Sequence, residues 1–422
     1  MPPPRPTLRT GHPVWLPTRA ADRGPRYPRL SGSHRADVAI VGGGITGAIA
    51  ALRFAEAGVD AIVLEAGVIG RGSTAASSAL LLQEPDTGLA ALSERYGRAR
   101  ATRIWRLSRD AARDLIALLE RLPAPTATAR RDTIYYTTDA DGVASLQREY
   151  VARCRAGFEA TWLTPRALRV DAGIPARAGI RTHGNAACDP LRACEAVMRE
   201  AARTGARVFE RSTVRRIESR RGAAGARGVG GSGGVRIRAG DGVVEARQVV
   251  IATGYATRQF RPLAGRFHLV RTYVAATAAL DARARREIGL ADVLLWDTRR
   301  PYHYARWTAD HRLLLGGADR PIRGGQRPAA RLASAVAEIR AHFERLLPAL
   351  GDVAIERAWE GRFANTPDSL PYVGPHRRYP NHAFALGYGG NGMTFGSLAG
   401  RLLVEQWQGI ANEDHALFGF DR

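Results

Sequence analysis

The sequence predicts an α/β fold in which a dinucleotide-binding β-α-β unit is joined to a second region of largely antiparallel sheet. A short apolar strand, a glycine-rich loop and a helix follow one another between residues 36 and 57, and a strand at 61–64 completes the unit. Residues 267–315 then alternate between apolar and polar side chains, as antiparallel strands with one solvated face do. With 422 residues, 45% of them hydrophobic, the chain can bury the cores of two or three domains.

The remaining elements are predicted from periodicity and from the residues that begin and end them. Helices are expected at 90–122, 191–203, 329–347 and 397–408. Asp189 stands where the second of these helices needs an N-cap, with Pro190 as its first residue. A hairpin with Asp241 and Gly242 at its tip leads into a buried strand at 249–253, and the glycine-rich stretch 222–234 is predicted to be a mobile turn.

The chain is strongly basic, with a net charge of +22 and a pI of about 11.1. All 62 basic residues are arginine, and the absence of lysine indicates a coding bias, since a surface selected for phosphate would use both cations. We therefore expect a solvated basic surface, with an anionic partner as the alternative. No RGG tract or aromatic–basic stacking motif is present, so nucleic acid is not expected to be a partner.

The cysteines and the N-terminal segment indicate a cytoplasmic protein. Cys154, Cys188 and Cys194 are too few for a disulfide framework and lack the spacing of a metal site, so we expect buried, reduced thiols and no metal. Residues 1–35 are rich in proline and arginine and lack the apolar core of a signal peptide. They are predicted to form an extended arm anchored by Trp15 and Tyr27. No apolar run is long enough to span a membrane.

A G-x-G-x-x-G motif, formed by Gly42, Gly44 and Gly47, links the first strand to its helix. Gly42 permits a tight turn, Gly44 lets the backbone approach a pyrophosphate, and Gly47 lets the helix pack close to the sheet. The amides at the helix N-terminus then face the anion. Glu65 ends the second strand about 20 residues later, where a carboxylate accepts hydrogen bonds from ribose hydroxyls and disfavours a 2′-phosphate. The motif predicts a dinucleotide but does not by itself distinguish NAD from FAD.

Later segments favour the longer, flavin-bearing dinucleotide. A loop of small residues at 67–86 directly follows the ribose strand, and its residues 73–78 can run beside a long cofactor. A second strand ends in Thr253 and Gly254. Near the C-terminus, the glycine loop "GYGGNGMTFG" opens the last helix, whose dipole can point at a distal ring system.

Together these segments resemble the D-amino-acid oxidase and glycine oxidase superfamily of FAD-dependent oxidoreductases, from about Asp37 onward. The most specific parts are "DVAIVGGGITGAIAALRFAEAGVDAIVLEA", "GRGSTAASSALL", "IATG", "WEGRFANTPDSLPYVG" and "GYGGNGMTFG". The resemblance implies a discontinuous, Rossmann-like FAD-binding domain and an α+β substrate domain with a mixed, largely antiparallel sheet. The implied division is an arm at 1–35, an FAD-binding domain at 36–88, 171–262 and 358–422, and a substrate domain at 89–170 and 263–357.

The resemblance also implies the cofactor contacts. The residues concerned are Gly42, Gly44, Ile45, Thr46 and Gly47 around the pyrophosphate, Glu65 and Ala66 by the adenosine ribose, Val214 by the adenine, Ser73, Thr74, Ala75 and Ala76 beside the ribityl and flavin portions, Thr253, Gly254 and Gly361 along the cofactor, and Gly390, Asn391, Gly392, Met393 and Thr394 at the pyrimidine edge of the flavin. Some members attach FAD through a cysteine. No cysteine follows Cys194 here, so FAD is expected to be noncovalent.

The implied reaction is oxidation of a C–N bond in a small amine or amino acid, with a hydride passing to flavin N5 and O2 or a carrier as the acceptor. Alternation puts Tyr302, Tyr304 and Arg306 on one face of a strand and His303 on the other. Arg306 is the first candidate to pair with a substrate carboxylate and Arg271 the second. The tyrosines are candidate pocket walls, and His303 is a candidate base or pocket ligand, with a packed side chain as the favoured alternative.

Three questions stay open at the level of sequence. The acceptor decides between an oxidase and a dehydrogenase. Relatives that oxidise an alcohol or phosphorylated substrate, and a flavoprotein that acts on or binds RNA, are alternative functions. The oligomeric state is not predicted.

Overall fold

The computed structural model describes residues 9–16, 27–220, 233–322 and 327–422, which fold around two β-sheets. The turn predicted at 222–234 lies, up to residue 232, outside the described residues. In chain order the strands are β1 (Arg9–Gly11), β2 (Ser31–Val41), β3 (Ala61–Leu64), β4 (Leu80–Leu81), β5 (Ala129–Thr137), β6 (Thr161–Leu163), β7 (Ala178–Ala187), β8 (Arg207–Phe209), β9 (Val214–Arg220), β10 (Gly234–Ala239), β11 (Asp241–Gly254), β12 (His268–Thr277), β13 (Leu294–Asp297), β14 (Tyr304–Trp307), β15 (Leu313–Pro321), β16 (Ile355–Asn365), β17 (Tyr372–His376) and β18 (Tyr379–Leu386).

Helices connect these strands and cover the sheets. The α-helices are α1 (Ile45–Glu56), α2 (Ser73–Ala76), α3 (Leu89–Tyr96), α4 (Arg98–Arg121), α5 (Ala140–Arg155), α6 (Pro165–Ala167), α7 (Pro190–Arg203), α8 (Arg261–Ala264), α9 (Ala282–Ile288), α10 (Pro328–Leu346), α11 (Gly392–Trp407) and α12 (Asp414–Leu417). A π-helical turn at Leu168–Ala172 and 3-10 turns at Arg258–Phe260 and Pro348–Asp352 complete the set.

The smaller sheet contains the predicted β-α-β unit. Its central strands run parallel in the order β18-β11-β2-β3-β8, with β17 antiparallel at the edge and the β9–β10 hairpin joined to β11. Strand β11 follows the whole length of β2, from Asp241 opposite Ser31 to Ile251 opposite Val41. Helix α1 leaves the carboxyl end of β2, and that edge of a parallel sheet is where ligands bind in open α/β folds.

The larger sheet has the order β1-β16-β12-β15-β14-β13-β5-β7-β4, with β6 also paired to β7. Its pairings are antiparallel except that of β13 with β5. The α/β fold class with a mixed, largely antiparallel second sheet is therefore confirmed. Buried residues of α10, including Ile339 and Phe343, cover one face of this sheet, while α1, α7, α11 and α4 share the core against the smaller one.

The observed strand pairing can be compared with the predicted division of the chain into domains. The segment 171–262 was predicted to belong to the FAD-binding domain, but β7 within it pairs with β5 and β6 of the larger sheet. Strand β16 crosses the boundary at 357/358 and lies wholly in the larger sheet. The boundaries stay a prediction, and the pairing indicates where they need to move.

Several element boundaries differ from the predicted ones. The helix expected at 90–122 is two helices, because Gly97 between them has φ +80°, a left-handed value that ends α3 and begins α4. Helix α11 starts at Gly392 and not at residue 397, so the C-terminal glycine loop is shorter than predicted. Asp189 is the N-cap of α7, as predicted: its Oδ1 accepts from the amides of Leu191 at 2.9 Å and Arg192 at 3.0 Å.

The N-terminal segment is anchored by both predicted aromatic residues. The indole Nε1 of Trp15 donates to the carbonyl of Ser77 at 3.0 Å, and Tyr27 packs against the core of the smaller sheet.

Cys154 is exposed on α5, contrary to the expectation that all three thiols are buried, because it lies on the outward face of a surface helix. Among the described helices, none has both the length and the apolar character that crossing a membrane requires.

Candidate active site

A cavity of about 790 Å³ extends from the smaller sheet to the larger one. One end is lined by the carboxyl ends of β2, β3 and β11, and the other by residues of β12, β14 and β16. We call the first the dinucleotide end and the second the far end. Its volume is within the range of natural ligand sites.

The glycine loop forms the floor of the dinucleotide end. Gly42 has φ +114°, and a methyl group added there would lie 2.5 Å from the carbonyl oxygen of Ala252. A methyl group on Gly47 would lie 1.9 Å from the Gly42 carbonyl oxygen, so helix α1 packs against its own loop only with glycine at this position. Gly47 therefore shapes the loop without lining the cavity itself.

Glu65 is fixed by the backbone around it. Its Oε2 accepts from the amide of Gly43 and its Oε1 from the amide of Gly67, each at 2.7 Å. Burial raises the pKa of Glu65, while these two hydrogen bonds oppose the increase. The carboxylate also lines the cavity, so it is held in place to accept further hydrogen bonds from a ligand.

Helix α2 crosses the middle of the cavity. The hydroxyl of Thr74 accepts from the amide of Ile45 at 3.1 Å, which ties this helix to the glycine loop. The hydroxyl of Ser73 donates to the carbonyl of Arg362 at 2.8 Å and so connects the helix to β16. Ala75 points the other way and packs with Leu16 of the arm. Small residues along α2 thus leave room for a ligand between the two sheets.

The C-terminal loop closes the cavity from the opposite side. The side-chain amide of Asn391 donates to the carbonyl of Glu84 at 3.0 Å, and the hydroxyl of Thr394 donates to the carbonyl of Leu82 at 2.8 Å. Both side chains bind the backbone of residues 82–84, and the N-terminus of α11 faces the cavity. Its partial positive charge favours a ligand group that is, or becomes, negative.

Most of the predicted cofactor residues lie together around this cavity. Those that line it are Gly42, Gly44, Ile45, Thr46, Glu65, Ala66, Ser73, Thr74, Ala76, Val214, Thr253, Gly254, Gly361, Gly390, Asn391, Gly392 and Met393. Gly47, Ala75 and Thr394 support the wall from behind. Residues predicted from segments far apart in the chain therefore meet in one site.

Among the substrate-side candidates, Tyr302 and Tyr304 line the far end. Burial raises the pKa of Tyr302 well above its usual range and that of Tyr304 to about 12, so both are neutral phenols at neutral pH. The hydroxyls of Thr272 and Ser78 hydrogen-bond Tyr304 and act against its shift. The two rings lie 6.0 Å apart between centroids.

Arg306 and Arg271 lie outside the cavity, which argues against their predicted pairing with a substrate carboxylate. Arg306 donates to the carbonyls of Ser78 at 2.6 Å and Cys188 at 2.7 Å, and its guanidinium carbon lies 5.2 Å from the Trp15 ring centroid. Burial lowers its pKa to about 10. Arg271 lies with its Nε 3.6 Å from the Glu360 carboxylate. The hydrogen-bond donors of Arg306 are therefore directed at backbone oxygens. Arg306 lies on the same face of β14 as Tyr304, but this face extends beyond the end of the cavity.

His303 does not line the cavity and packs against other side chains, which favours the packed role over a base or a pocket ligand. Its Nδ1 lies 3.0 Å from Asp297 Oδ2, and its ring stacks on His342 with centroids 3.8 Å apart and an angle of 7° between planes. Burial lowers the pKa of His342 to about 4. The ligand atoms of Asp297, His303 and His342 lie within 4.8 Å of one another, so the group has the composition and spacing of a metal site. The cluster also anchors the loop that leads to Tyr302, because the backbone amide of His303 donates to Asp297 Oδ1 at 2.9 Å.

Several residues of the far end were not singled out from the sequence. Glu84, Asp86, Thr272 and Trp296 line it beside the tyrosines. Asp86 Oδ2 accepts from the amide of Gly390 at 2.6 Å, and burial raises its pKa to about 6. The sequence contains a signal for the acids, since "QEPD" ends a loop that, apart from Arg71, is otherwise made of small and apolar residues.

Comparison with known proteins gives a consistent result. The family described as "DAO: FAD dependent oxidoreductase" matches residues 37–406. Gamma-glutamylputrescine oxidoreductase of Escherichia coli (strain K12) is 27% identical over 389 residues, which cover 91% of this chain and 86% of that protein. Glycine oxidase of Bacillus licheniformis is 24% identical over 386 residues, covering 88% and 92%. The crystal structure of glycine oxidase from Geobacillus kaustophilus aligns with a TM-score of 0.76 at 22% identity, covering 92% of this chain and 99% of that one.

The family match includes the glycine loop, Glu65 and the C-terminal loop, and these are the parts that form the dinucleotide end and its closure. The structural match independently supports the arrangement of the two sheets. The chain is therefore a member of the DAO family of FAD-dependent oxidoreductases.

Proposed function

We propose that the protein binds FAD noncovalently and uses it to oxidise a C–N bond of a small amine or amino acid. The observation that carries the proposal is that one cavity joins a dinucleotide site to a far end lined by aromatic and carboxylate side chains. Relatives named for glycine and for gamma-glutamylputrescine support a nitrogen-bearing substrate.

The residues present fit FAD. Gly42 and Gly44 would bind the pyrophosphate, Glu65 the adenosine ribose and Val214 the adenine. The N-terminus of α11, at Asn391 and the residues after it, would face the pyrimidine edge of the flavin, where its dipole stabilises negative charge. None of Cys154, Cys188 and Cys194 lines the cavity, which supports noncovalent binding.

FAD, when bound, supplies a two-electron acceptor that takes a hydride from the carbon next to the amine nitrogen. The chain supplies position and environment. Tyr302 and Tyr304 would form neutral walls that orient the carbon, and the cavity would hold the amine in its neutral form for the step. Loss of the hydride from a neutral amine would leave an iminium ion, which water would convert to a carbonyl compound and an ammonium ion or protonated amine. O2 or a carrier would be the final acceptor of the electrons.

A phosphorylated alcohol is less compatible with this site. Asp86 and Glu84 line the far end, and a phosphate placed beside two carboxylates would meet like charges in a water-poor cavity. The carboxylates thus favour the amine over the alternative substrate.

The test is a visible absorption spectrum of the purified protein before and after denaturation, followed by peroxide and carrier-reduction assays on a panel of amines and amino acids. We expect flavin bands, release of the flavin into solution on denaturation, and turnover of at least one amine. Three results would contradict the proposal: a protein that stays colourless after incubation with FAD, flavin that remains attached to the denatured chain, or turnover of alcohols alone.

A further inference from the structure

The far end of the cavity concentrates negative charge, although the protein as a whole carries +22. Asp86 and Glu84 lie in the wall, and Asp319 on β15 lies behind Tyr302 and Tyr304. Burial raises the pKa of Asp319 to about 7 against a hydrogen bond from the Thr272 hydroxyl, and the charge of Asp86 adds to the increase. Asp319 is thus close enough to Asp86 to be affected by its charge.

Glu84 has an oxygen without a partner at the wall. Its side chain is only about 1% exposed, and its Oε1 accepts from the Thr133 hydroxyl at 3.0 Å. Oε2 is buried and has no hydrogen-bond partner among the described residues. Arg153 Nη1 lies 3.6 Å from Oε1, but this guanidinium is shared with Glu149, whose Oε1 it meets at 2.8 Å. One arginine for two carboxylates leaves net negative charge beside the cavity.

Asp86 is placed to contact a bound molecule. Its hydrogen bond from the Gly390 amide fixes the carboxylate at the joint between the loop of residues 77–86 and the C-terminal loop. A methyl group added at Gly390 would meet the Tyr302 hydroxyl at 2.2 Å and the Asp86 oxygens at 3.2 Å, so the phenol and the acid converge on one point of the wall.

Aromatic rings surround that point. Trp296 and Tyr302 lie 6.4 Å apart between centroids and nearly perpendicular, and Tyr304 is the next ring along. All three line the cavity. Ring faces attract ammonium groups, and the attraction increases where water is excluded. A carboxylate among aromatic walls is an environment suited to an organic cation.

Among the described residues, arginines as well as acids border the cavity. Three of the described arginines line the cavity, namely Arg215, Arg258 and Arg362. Arg215 and Arg258 adjoin Val214 and Phe260 at the dinucleotide end. Arg362, on β16, lies by Ser73 with its Nη2 3.9 Å from Glu360, and its buried Nε has no hydrogen-bond partner among the described residues. Arg300, whose guanidinium carbon is 5.9 Å from the Tyr302 ring centroid, is on an exposed loop and does not line the cavity, but its charge acts on Asp86 and opposes the rise in the pKa of that carboxyl.

We propose that the far end selects a diamine, or a longer polyamine, that bears no carboxylate on the reacting carbon, and that Asp86 binds its second, charged nitrogen. The inference rests on the proposed amine oxidation. The nitrogen at the reacting carbon must be neutral when the hydride leaves, so an ammonium held by a carboxylate is a different nitrogen of the same substrate. A substrate carboxylate beside Asp86 and Glu84 would face like charges, whereas an ammonium group there would be attracted.

The test compares three substrates of matched chain length on the FAD-loaded protein: an alkyl diamine, the corresponding monoamine and the α-amino acid. We expect the kcat/KM of the diamine to exceed that of each of the others at least tenfold. Asp86→Asn should lower the diamine value roughly 10- to 100-fold, as loss of a charge-assisted hydrogen bond does, and the monoamine value less than about threefold. Asp310→Asn, an exposed acid paired with Arg312, is the charge-matched control and should change neither.

Asp86→Glu keeps the charge and should retain the diamine preference, and flavin content and melting temperature confirm that each variant is folded. An equal loss of diamine and monoamine activity in Asp86→Asn would overturn the assignment of Asp86. A wild-type preference for the amino acid would overturn the substrate class and leave the proposed amine oxidation standing. Failure of every amine and amino acid to reduce the flavin would instead contradict the proposed function itself.

Discussion

The two ends of the cavity are built in different ways. The dinucleotide end comes largely from one β-α-β unit, in which Gly47 packs against the Gly42 carbonyl and Glu65 accepts from the amides of Gly43 and Gly67. The far end is assembled from residues 78–86, Thr272, residues 296–304 and residues 388–391, which meet only when both sheets have formed. The first end is a local motif that recognises a common cofactor. The second depends on tertiary structure, and it is where a substrate would be distinguished.

The largest effect on stability is expected from a substitution in the glycine loop of the dinucleotide end. Gly47→Ala places a methyl group 1.9 Å from the Gly42 carbonyl oxygen, so helix α1 must move away from the loop. We expect a loss of at least about 3 kcal/mol in the free energy of unfolding, together with loss of bound flavin. Thermal melting and flavin content measure both. Gly265→Ala, where the added methyl group has no neighbour within 4 Å, is the control, and equal behaviour of the two variants would show that the close approach is not real.

The next substitution tests whether Arg306 stabilises the fold or binds a substrate at the far end. Arg306→Met removes the donors to the Ser78 and Cys188 carbonyls, and these oxygens are then left unpaired in the core. We expect the free energy of unfolding to fall by about 2–3 kcal/mol. The KM of an amino-acid substrate should change little.

Arg283→Met, at an exposed arginine paired with Glu287, is the matched control and should be close to neutral. A large rise in KM specific to carboxylate-bearing substrates, with stability unchanged, would restore Arg306 to the substrate site.

A third substitution tests cofactor recognition. Glu65→Gln removes the charge that would accept hydrogen bonds from the adenosine ribose, and its single oxygen can accept from only one of the two backbone amides that Glu65 binds. We expect the Kd of FAD to rise roughly 10- to 100-fold, measured by titration of the apoprotein. The KM of the amine at saturating FAD should stay within about twofold of wild type.

Glu56→Gln, at the end of α1, is the control for that titration. If FAD binds to Glu65→Gln as tightly as to wild type, the ribose contact is absent.

The smallest effect is a pH dependence of stability at the far end. Burial raises the pKa of Asp86 to about 6, above its ordinary value of 3.8, so the folded apoprotein holds this proton more tightly than the unfolded chain does. Stability attributable to Asp86 is therefore present below about pH 4 and is lost as the pH rises through about 6. Melting temperatures of wild type and Asp86→Asn should diverge over this interval, with the variant more stable at pH 7. A constant difference from pH 4 to pH 7 would show that Asp86 is not buried as described.

The dinucleotide end is easier to predict from the sequence than the far end. The β-α-β unit and its glycines are recognisable because each residue acts on neighbours a few positions away. The split at Gly97 was missed because a single glycine within a helical pattern does not reveal its φ angle. Arg306 was chosen by alternation, which identifies the correct face of β14 but not the point at which the cavity ends. Asp86 was missed because its importance depends on Gly390, about 300 residues away in the chain.

The most direct test of the central claim is anaerobic mixing of the FAD-loaded protein with an alkyl diamine and, separately, with the diol of the same chain length, while the flavin absorbance is followed. We predict that the diamine bleaches the flavin and that the diol leaves it oxidised. Bleaching by the diol, or by neither compound while a phosphorylated alcohol reduces the flavin, would contradict the assignment of the cavity to amine oxidation.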